Sequence, residues 1–333
     1  MANSLLVGTR KGLFVVGENG LEGPLLPGWE VFHAVERDGT IYAAANNWVY
    51  GATVQRSEDG GENWERSEPI EGMAKAWHIE PAADGTLWLG GDPGCLYRSD
   101  DGGVTWRPNT GIGDHPTRER WQPGAGGMCC HSIQITSDAL YVAISAAGAF
   151  RSDDGGETWT PINKDVAADF MPDKYPVVGQ CVHKLLAHPG RPGRLWQQNH
   201  CGVYRSDDRG DNWERLDGNG LPSGFGFGLA LDPADPDVAY VIPEVSGEYR
   251  VTPDGQLRVF RTSDGGATWE SRSEGLPTQS WTGVLREATT FDGEGVYFGT
   301  QSGSLWVLPR GDSTWIEAAR DLPPILSVEA GPE

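Results

Sequence analysis

Histidine side chains are the groups of this sequence best suited to chemistry, because neutral imidazole is a common protein ligand of transition metals. Of the seven histidines, four fall at the start of predicted inner strands or in a loop beside one, namely His78, His131, His183 and His200. We expect these four to converge at the mouth of a central channel, where they could hold Zn, Cu, Fe or Ni.

The positions of the histidines within their strands can be predicted by counting the residues from each histidine to the start of the next strand. His78 and His131 each lie nine residues before the leucine that begins the next predicted strand, so they are predicted to occupy matching positions. Cys130 and Cys201 adjoin two of the histidines and could add soft ligands. No HxH or HExxH spacing is present, so the alternative is a channel lined by hydrogen-bonded histidines in contact with water.

A second chemistry open to this chain is recognition of an anion, since arginine binds carboxylate and phosphate groups bidentately. The candidate arginines are Arg10, Arg250 and Arg286. Trp121 and Trp281 are predicted in or beside loops of the same face, where they could stack on a sugar or another planar ligand. We therefore expect a small polar or anionic ligand.

Carboxylates and a tyrosine lie near these arginines in the sequence. A third possible chemistry is therefore glycoside hydrolysis. The catalytic candidates are Glu244, Tyr249 and Glu287. With 47 acidic residues in the chain, any pair of carboxylates is weak evidence. For the segment 244–250, the alternative is a solvated lid with surface ion pairs.

A repeated turn sequence, Ser/Thr-x-Asp-x-Gly-x-x-Trp, organises the elements that must position these groups. Five intact copies end at Trp64, Trp106, Trp159, Trp213 and Trp269, and degenerate copies are predicted to end at Trp315 and Trp29. Asp accepts hydrogen bonds from the backbone of the turn, Gly supplies a positive φ, and the Ser hydroxyl closes a second local bond. Each turn is predicted to join the third and fourth strands of a unit.

Four short apolar strands in each unit predict an all-β fold, a seven-bladed β-propeller. The chain begins with strands that read as the second and third of a blade. The segment Ile325–Ala330 would supply the missing strand, closing the ring and removing the open edges. We therefore predict a single propeller domain over residues 1–333.

These Asp turns resemble those of BNR or Asp-box repeat proteins, the sialidase-like propeller superfamily. With segments such as Val182-His183-Lys184-Leu185, the chain is similar to compact bacterial proteins often labelled exo-α-sialidase or glycosyl hydrolase. The superfamily includes sialidases, xyloglucan hydrolases, sortilin-type receptors and photosystem II assembly factors, so the resemblance implies the fold without one chemistry. Sialidases carry an Arg-Ile-Pro motif near the N-terminus. Gly8-Thr9-Arg10-Lys11-Gly12 stands here instead, so true sialidase activity is not expected.

Three long loops, 107–128, 161–179 and 243–256, are predicted on the face opposite the Asp turns. Long ordered loops on a rigid scaffold commonly carry binding and catalysis. The functional site is therefore predicted over the channel on that face, and the same loops could bind a protein partner.

Composition narrows the remaining classes of function. The formal net charge is −21, which disfavours nucleic acids and anionic membrane surfaces. The sequence has no apolar run of transmembrane length, and its first residues lack the pattern of a signal peptide. Five cysteines without a CxxC pair fit reduced thiols, so a cytoplasmic location is expected.

The sequence leaves three hypotheses open. The first is a channel-mouth pocket for a small polar or anionic ligand, with or without a histidine-bound metal. If this pocket is catalytic, the reaction would be hydrolytic or metal-dependent. The second is a non-catalytic assembly or scaffold protein that uses the long loops. The third is a sialidase-like glycoside hydrolase.

Overall fold

The computed structural model describes residues 4–124 and 126–331, which form seven four-stranded antiparallel sheets arranged as a propeller. Strands are numbered in chain order, and blades 1 to 7 in the order of their second strands. In the described ranges, no helix is long and apolar enough to cross a membrane.

Blades 1 to 3 use the strands β1 Leu5–Thr9, β2 Gly12–Gly17, β3 Gly20–Leu25, β4 Glu30–Arg37, β5 Thr40–Asn47, β6 Gly51–Ser57, β7 Glu65–Arg66, β8 Lys75–Pro81, β9 Leu87–Asp92, β10 Cys95–Ser99 and β11 Arg107–Pro108. Blades 4 and 5 use β12 Cys129–Ile135, β13 Leu140–Ser145, β14 Gly148–Ser152, β15 Thr160–Pro161, β16 Val182–His188, β17 Arg191–Asn199, β18 Gly202–Ser206 and β19 Glu214–Arg215. Blades 6 and 7 use β20 Gly226–Leu231, β21 Ala239–Pro243, β22 Phe260–Thr262, β23 Glu270–Ser271, β24 Thr289–Phe291, β25 Gly295–Gly299, β26 Leu305–Pro309 and β27 Ile316–Ala319. The last strand, β28 Ile325–Ala330, returns to blade 1.

Three short helical turns lie in two of the long loops. The loop before blade 4 holds the helix Thr110–Gly113 and the 3-10 turn Arg118–Arg120. The loop inside blade 6 holds the 3-10 turn Pro253–Gly255.

Blade 1 is completed from both ends of the chain. Strand β28 lies innermost and pairs antiparallel with β1, from Leu5 opposite Ala330 to Thr9 opposite Ile325. The buried side chains of β28, among them Ile325 and Val328, continue the apolar core between blades 7 and 1. The predicted closure of the ring is therefore confirmed.

The Asp turns are closed by their own side chains, as the repeat predicts. In blade 4, the Ser152 hydroxyl donates to Asp154 (2.7 Å) and accepts from the backbone N–H of Gly156 (2.8 Å). Asp154 also accepts from the backbone N–H of Thr158 (2.9 Å). Gly156 has φ +92°, a conformation that favours glycine.

Tryptophans of the turns tie neighbouring blades together. The indole N–H groups of Trp213, Trp269 and Trp315 donate to backbone carbonyls of the preceding blade, at distances of 2.7, 2.8 and 2.6 Å.

The assignment of Trp29 to a degenerate turn was wrong. The turn of blade 1 lies between β2 and β3, whereas Trp29 lies between blades and stacks on Tyr50.

Candidate functional site

The innermost strands of blades 2 to 6 share an irregularity that decides which side chains meet. The register of each strand shifts by one residue relative to its neighbour, and the extra residues are Phe32, Trp77, His131, His183 and Phe227. Such bulges re-aim side chains and increase the local twist. His131 therefore matches His183, and His78 matches His33 of blade 2.

The predicted pairing of His78 with His131 is thus corrected by the structure. The count of nine residues runs through turns of unequal length, since five residues separate β8 from β9 and four separate β12 from β13. The four predicted histidines consequently do not form one cluster. His183 and His200 come together, while His78 and His131 lie elsewhere.

A cavity of about 410 Å³ lies on the face opposite the Asp turns, and we call it the upper cavity. All three long loops contribute to its wall, through Arg120, Gln122, Phe170, Met171, Gly247 and Arg250. Its inner surface is formed by Cys181, His183, His200 and Arg286. Among the residues that the structure describes, no aspartate or glutamate lines it.

Cys181, His183 and His200 place one ligand atom each within 4.8 Å of one another. Cys181 leads directly into β16, on which His183 lies, and His200 follows β17 of the same blade. The backbone N–H of His200 donates to the carbonyl of Cys181 (2.9 Å), which holds the two segments together. One sulfur and two imidazole nitrogens form a donor set that suits zinc or copper.

The ring of His183 is held in one orientation and one tautomer. Its Nδ1 lies 2.7 Å from the carbonyl oxygen of Gly226, and because a carbonyl only accepts, Nδ1 carries the proton. The ring also stacks on Phe227, with ring centroids 4.3 Å apart. Nε2 of neutral His183 therefore keeps a free lone pair. Metal-binding histidines commonly show this arrangement, in which one ring nitrogen donates to a carbonyl and the other binds the metal.

Burial and positive charge control ionisation in the upper cavity. Burial lowers the pKa of His183 well below its usual 6.5, and the charge of Arg286 lowers it further. Burial also lowers the pKa of His200, with a contribution from Arg250. The pKa of the Cys181 thiol is raised by burial, against the effect of Arg286. The imidazoles are thus neutral and the thiol protonated, so metal binding would release the thiol proton.

Two of the three predicted arginines meet at the upper cavity. Arg286 lies 5.0 Å and Arg250 5.5 Å from the ring centroid of Phe227, measured from each guanidinium carbon. Arg250 belongs to a loop, and Arg286 to the segment that leads into blade 7. Arg10 does not join them, since it is an exposed partner of Glu30 (2.7 Å) and does not line the cavity.

The aromatic candidates for ligand binding lie outside the cavity. Trp121 is only 4% exposed, packs in the core and donates its indole N–H to Thr117, so its prediction as a stacking residue was wrong. Trp281 is 71% exposed and packs over Gly255 on the loop 243–256. It remains on the predicted face but does not line the cavity.

The catalytic candidates do not share a site either. Tyr249 is 65% exposed and outside the cavity lining. Glu244 is buried behind the loop, and burial raises its pKa to about 7, while one of its carboxylate oxygens lacks a hydrogen-bond partner. Glu287 lies on the other side of the channel. These three side chains therefore do not form a two-carboxylate glycosidase centre.

The hydrogen bonds of His131 indicate a structural role. Its Nε2 lies 2.8 Å from the carbonyl oxygen of Val182 and 2.9 Å from the Ser145 hydroxyl, and the ring is fully buried. Because Nε2–H must donate to the carbonyl, this nitrogen is not free to bind a metal. His131 ties blade 4 to blade 5.

A second cavity of about 260 Å³ occupies the channel towards the Asp turns, and we call it the lower cavity. His33, His78, Lys184 and Glu287 line its deep end. Burial would lower the pKa of His78, but the carboxylates of Glu287 and Glu80 raise it to about 9. Burial would raise the pKa of Glu287, yet Lys184 and His78 hold it well below its usual range. The lower cavity thus contains a compact set of opposite charges.

Three important residues were missed from the sequence. Cys181 could have been found from its closeness to His183, which it precedes by two residues. Phe227 and His33 could be recognised only after the bulge residues of the inner strands were aligned. The predicted soft ligands Cys130 and Cys201 do not belong to the group of candidate metal ligands in the upper cavity.

Comparison with known proteins identifies the repeated turn sequence. The BNR/Asp-box repeat model matches residues 97–108 and 150–161. The xyloglucanase Xgh74A of Acetivibrio thermocellus is 28% identical over 273 residues, which cover 69% of this chain and 30% of that protein. The chain therefore spans about a third of the length of this relative.

Solved structures agree on the architecture. The GH74 enzyme of Niastella koreensis superposes with a TM-score of 0.70 at 16% identity, covering 95% of this chain and 52% of that one. YCF48 bound to a D1 peptide superposes with a TM-score of 0.64 at 16% identity, covering 93% of this chain and 90% of that one. At this identity the likeness establishes the fold. The chain is a seven-bladed β-propeller that carries BNR/Asp-box repeats.

Proposed function

We propose that the upper cavity binds a transition metal through Cys181, His183 and His200 and presents it to a small anionic ligand. The observation that carries this proposal is the approach of the three ligand atoms to within 4.8 Å, with the proton of His183 fixed on the nitrogen that faces Gly226. Met171 lines the same cavity and offers a thioether, so the donor set favours zinc or copper over magnesium or calcium.

The charge balance of the cavity favours an anion as the ligand. A divalent metal, one thiolate and the guanidinium groups of Arg120, Arg250 and Arg286 sum to about +4 by formal charge. No aspartate or glutamate among the described lining residues compensates this charge. A carboxylate or phosphate group could bind the metal at an open position and pair with the arginines.

Three protein ligands leave a coordination position that water or the ligand can occupy. At such a position, a zinc ion supplies Lewis acidity and a water of lowered pKa. The side chains of the protein would then orient the anion: the half-buried Arg286 from the inner surface of the cavity and Arg250 from the loop 243–256. This arrangement supports a metal-dependent hydrolase or a metal-dependent binding protein.

Metal content after purification tests the proposal. We expect close to one zinc or copper per upper cavity in the wild type, and its loss in Cys181→Ser and His183→Ala. Cys201→Ser is the matched control, because Cys201 is a buried thiol of the same blade that lies outside the ligand group. Equal metal content in Cys181→Ser and Cys201→Ser would contradict the proposal.

A second candidate function is glycoside hydrolysis, favoured by the similarity to a xyloglucanase and by exposed aromatic side chains on the upper face. Trp48, Tyr249 and Trp281 are all exposed there, and such side chains stack well on sugars. Turnover of xyloglucan or aryl glycosides by metal-free protein would support this alternative. The cytoplasmic location and a protein partner at the long loops stay predictions.

A further inference from the structure

Arg286 carries a positive charge that the protein itself does not neutralise. Its Nε is buried without a hydrogen-bond partner, and no carboxylate among the described residues forms an ion pair with it. Arg194 shows the usual arrangement, since its guanidinium is paired with both Asp207 and Asp237. Charges withdrawn from water are normally paired, because an unpaired charge is costly there. The guanidinium of Arg286 therefore points to an anion supplied from outside the chain.

Aromatic rings hold this guanidinium at the inner surface of the upper cavity. Its central carbon lies 5.5 Å from the ring centroid of Trp77 on β8 and 5.0 Å from that of Phe227 on β20. A guanidinium that stacks on aromatic faces keeps the N–H groups at its edge available for an anion. Arg250 adds a second guanidinium, whose Nε donates to the carbonyl of Gly247 (3.1 Å). The two arginines form the charged side of the cavity, next to blades 6 and 7.

The side of the upper cavity next to blades 4 and 5 is largely apolar. Its lining residues with apolar side chains are Pro123, Ala146, Phe170 and Met171. Ser145 is a buried polar residue of this side, but its hydroxyl donates to the carbonyl of Val182 (3.2 Å). Arg120 also belongs to this side and is exposed. The cavity thus offers charge at one side and an apolar surface at the other.

Backbone groups of the apolar side are also satisfied within the protein. The N–H of Ala146 donates to the carbonyl of Gln122 (3.2 Å), and the N–H of Met171 donates to that of Ala168 (2.8 Å). A ligand with many hydroxyl groups would lose hydrogen bonds to water here without gaining partners, which is unfavourable. An apolar ligand body carries no such penalty.

We propose that the anion of the upper cavity is a monocarboxylate with an apolar body, such as a medium-chain aliphatic acid. Its carboxylate pairs with Arg286 and Arg250, and its body lies against Phe170 and Met171. The cavity of about 410 Å³ falls in the range of pockets that enclose small organic molecules, and it is larger than acetate or phosphate needs. This inference rests on the anion binding of the proposed function but does not require the metal.

Calorimetric titration of the full chain with acetate, butyrate, hexanoate and octanoate tests this assignment. We expect one site per chain, with an affinity that rises about fourfold for each methylene that becomes buried until the cavity is full. The rise should be the same before and after the metal is removed with a chelator, because the carboxylate and not the body would reach the metal. Hexanamide has the same body without the charge and should bind about 10- to 100-fold more weakly than hexanoate.

Two substitutions separate the charged side from the apolar side in metal-free protein. Arg286→Met should weaken the binding of every acid alike, and it should not lower the melting temperature of the ligand-free chain, since it removes an unpaired charge. Met171→Gln should leave acetate binding unchanged and reduce the gain from acetate to octanoate by about fourfold or more. Val177→Thr is the matched control, because Val177 lies on the same loop, is exposed and does not line the cavity.

The outcomes separate this inference from the proposed function. If the wild type binds acetate and octanoate equally well, or glucuronate more tightly than hexanoate, the inference is overturned while anion binding in the upper cavity stands. If hexanamide binds as tightly as hexanoate, or Arg286→Met binds hexanoate as the wild type does, Arg286 does not hold the carboxylate and the inference is also overturned. If no acid of the series binds to protein with its full metal content, the anion binding of the proposed function fails with it.

Discussion

Arg286 and Glu287 are consecutive in the chain, yet Arg286 lines the upper cavity and Glu287 lines the lower cavity. His183 and Lys184 divide in the same way between the two cavities. In both cases, adjacent side chains of an inner segment point to opposite ends of the channel. The upper end thus collects arginine, neutral histidine and thiol, while the lower end collects carboxylates, a lysine and a charged histidine.

The position of His200 depends on a glycine in the loop 243–256. A Cβ at Gly247 would clash with Cε1 of His200 and lie 3.0 Å from its Nε2. We expect Gly247→Ala to push the imidazole away and to weaken metal binding in the upper cavity by about 10- to 100-fold, the range for displaced supporting groups. Competition with a chromophoric chelator measures this affinity.

The control for that substitution is Gly218→Ala, at an exposed glycine whose added Cβ would meet no neighbour within 4 Å. Its metal affinity should equal that of the wild type. An unchanged affinity in Gly247→Ala would show that His200 is not a ligand.

Anion binding should depend on Arg286 and not on Arg10. Arg286→Met removes a charged partner of the ligand, and hydrogen bonds to charged groups contribute about 1.5–3 kcal/mol. We expect the affinity of metal-loaded protein for inorganic phosphate or acetate to fall about 10- to 100-fold. Calorimetric titration gives the value. Arg10→Met, which breaks only an exposed ion pair, is the control, and equal losses in both variants would argue against a defined anion site.

His131 should prove structural. His131→Ala removes the shorter of two side-chain hydrogen bonds to the buried carbonyl of Val182, leaving that of the Ser145 hydroxyl (3.2 Å), and empties the space of a fully buried ring. We therefore expect the free energy of unfolding to fall by about 1–3 kcal/mol. Metal content should stay at the wild-type level, since His131 is not in the ligand group. Chemical denaturation and metal analysis on the same sample test both parts. Loss of metal at unchanged stability would reverse the assignment.

The Asp turns should make the fold sensitive to acid. Local hydrogen bonds lower the pKa of the turn carboxylates of Asp59, Asp101, Asp154 and Asp264 from 3.8 to about 2. A carboxyl group whose pKa is depressed in the folded state contributes stability above the unfolded value, and this contribution is lost as pH falls through the folded value. We therefore expect stability to decline between about pH 4 and pH 2.

Asp154→Asn tests this origin of acid sensitivity. The variant should be less stable at neutral pH but should lose less stability between pH 4 and pH 2, as measured by denaturation at each pH. Glu18→Gln, on an exposed turn of blade 1, should keep the pH profile of the wild type. Identical profiles for Asp154→Asn and the wild type would place the acid sensitivity elsewhere.

Local chemistry explains which parts of the fold were predictable. The Ser152–Asp154–Gly156 turn makes its bonds within five residues, so its sequence determines its shape. The closing strand was predictable because the strands of blade 1 lacked an inner partner. The three loops were placed on the correct face because strand order alone fixes the face on which a connection lies.

The site was less predictable because it depends on a one-residue shift. A single extra residue in an inner strand exchanges the side chains that face each end of the channel. His78 was therefore assigned to the wrong cavity, and His33 was not considered. Glu287 was misplaced for another reason, since it was grouped with its neighbour Arg286 although the two side chains point to opposite ends of the channel. Trp121 was misjudged for a different reason, because a loop tryptophan can be buried when the loop itself packs on the core.

The strand β28 has a consequence for the order in which this chain folds. Blades 2 to 7 each consist of one continuous segment and can form as soon as that segment is available. Blade 1 must wait for residues 325–330, more than 300 residues after β1. Since the free energy of closing a loop grows only slowly with its length, the delay costs time more than stability. During synthesis on a ribosome, β1 would remain without its inner partner until almost the whole described chain had emerged.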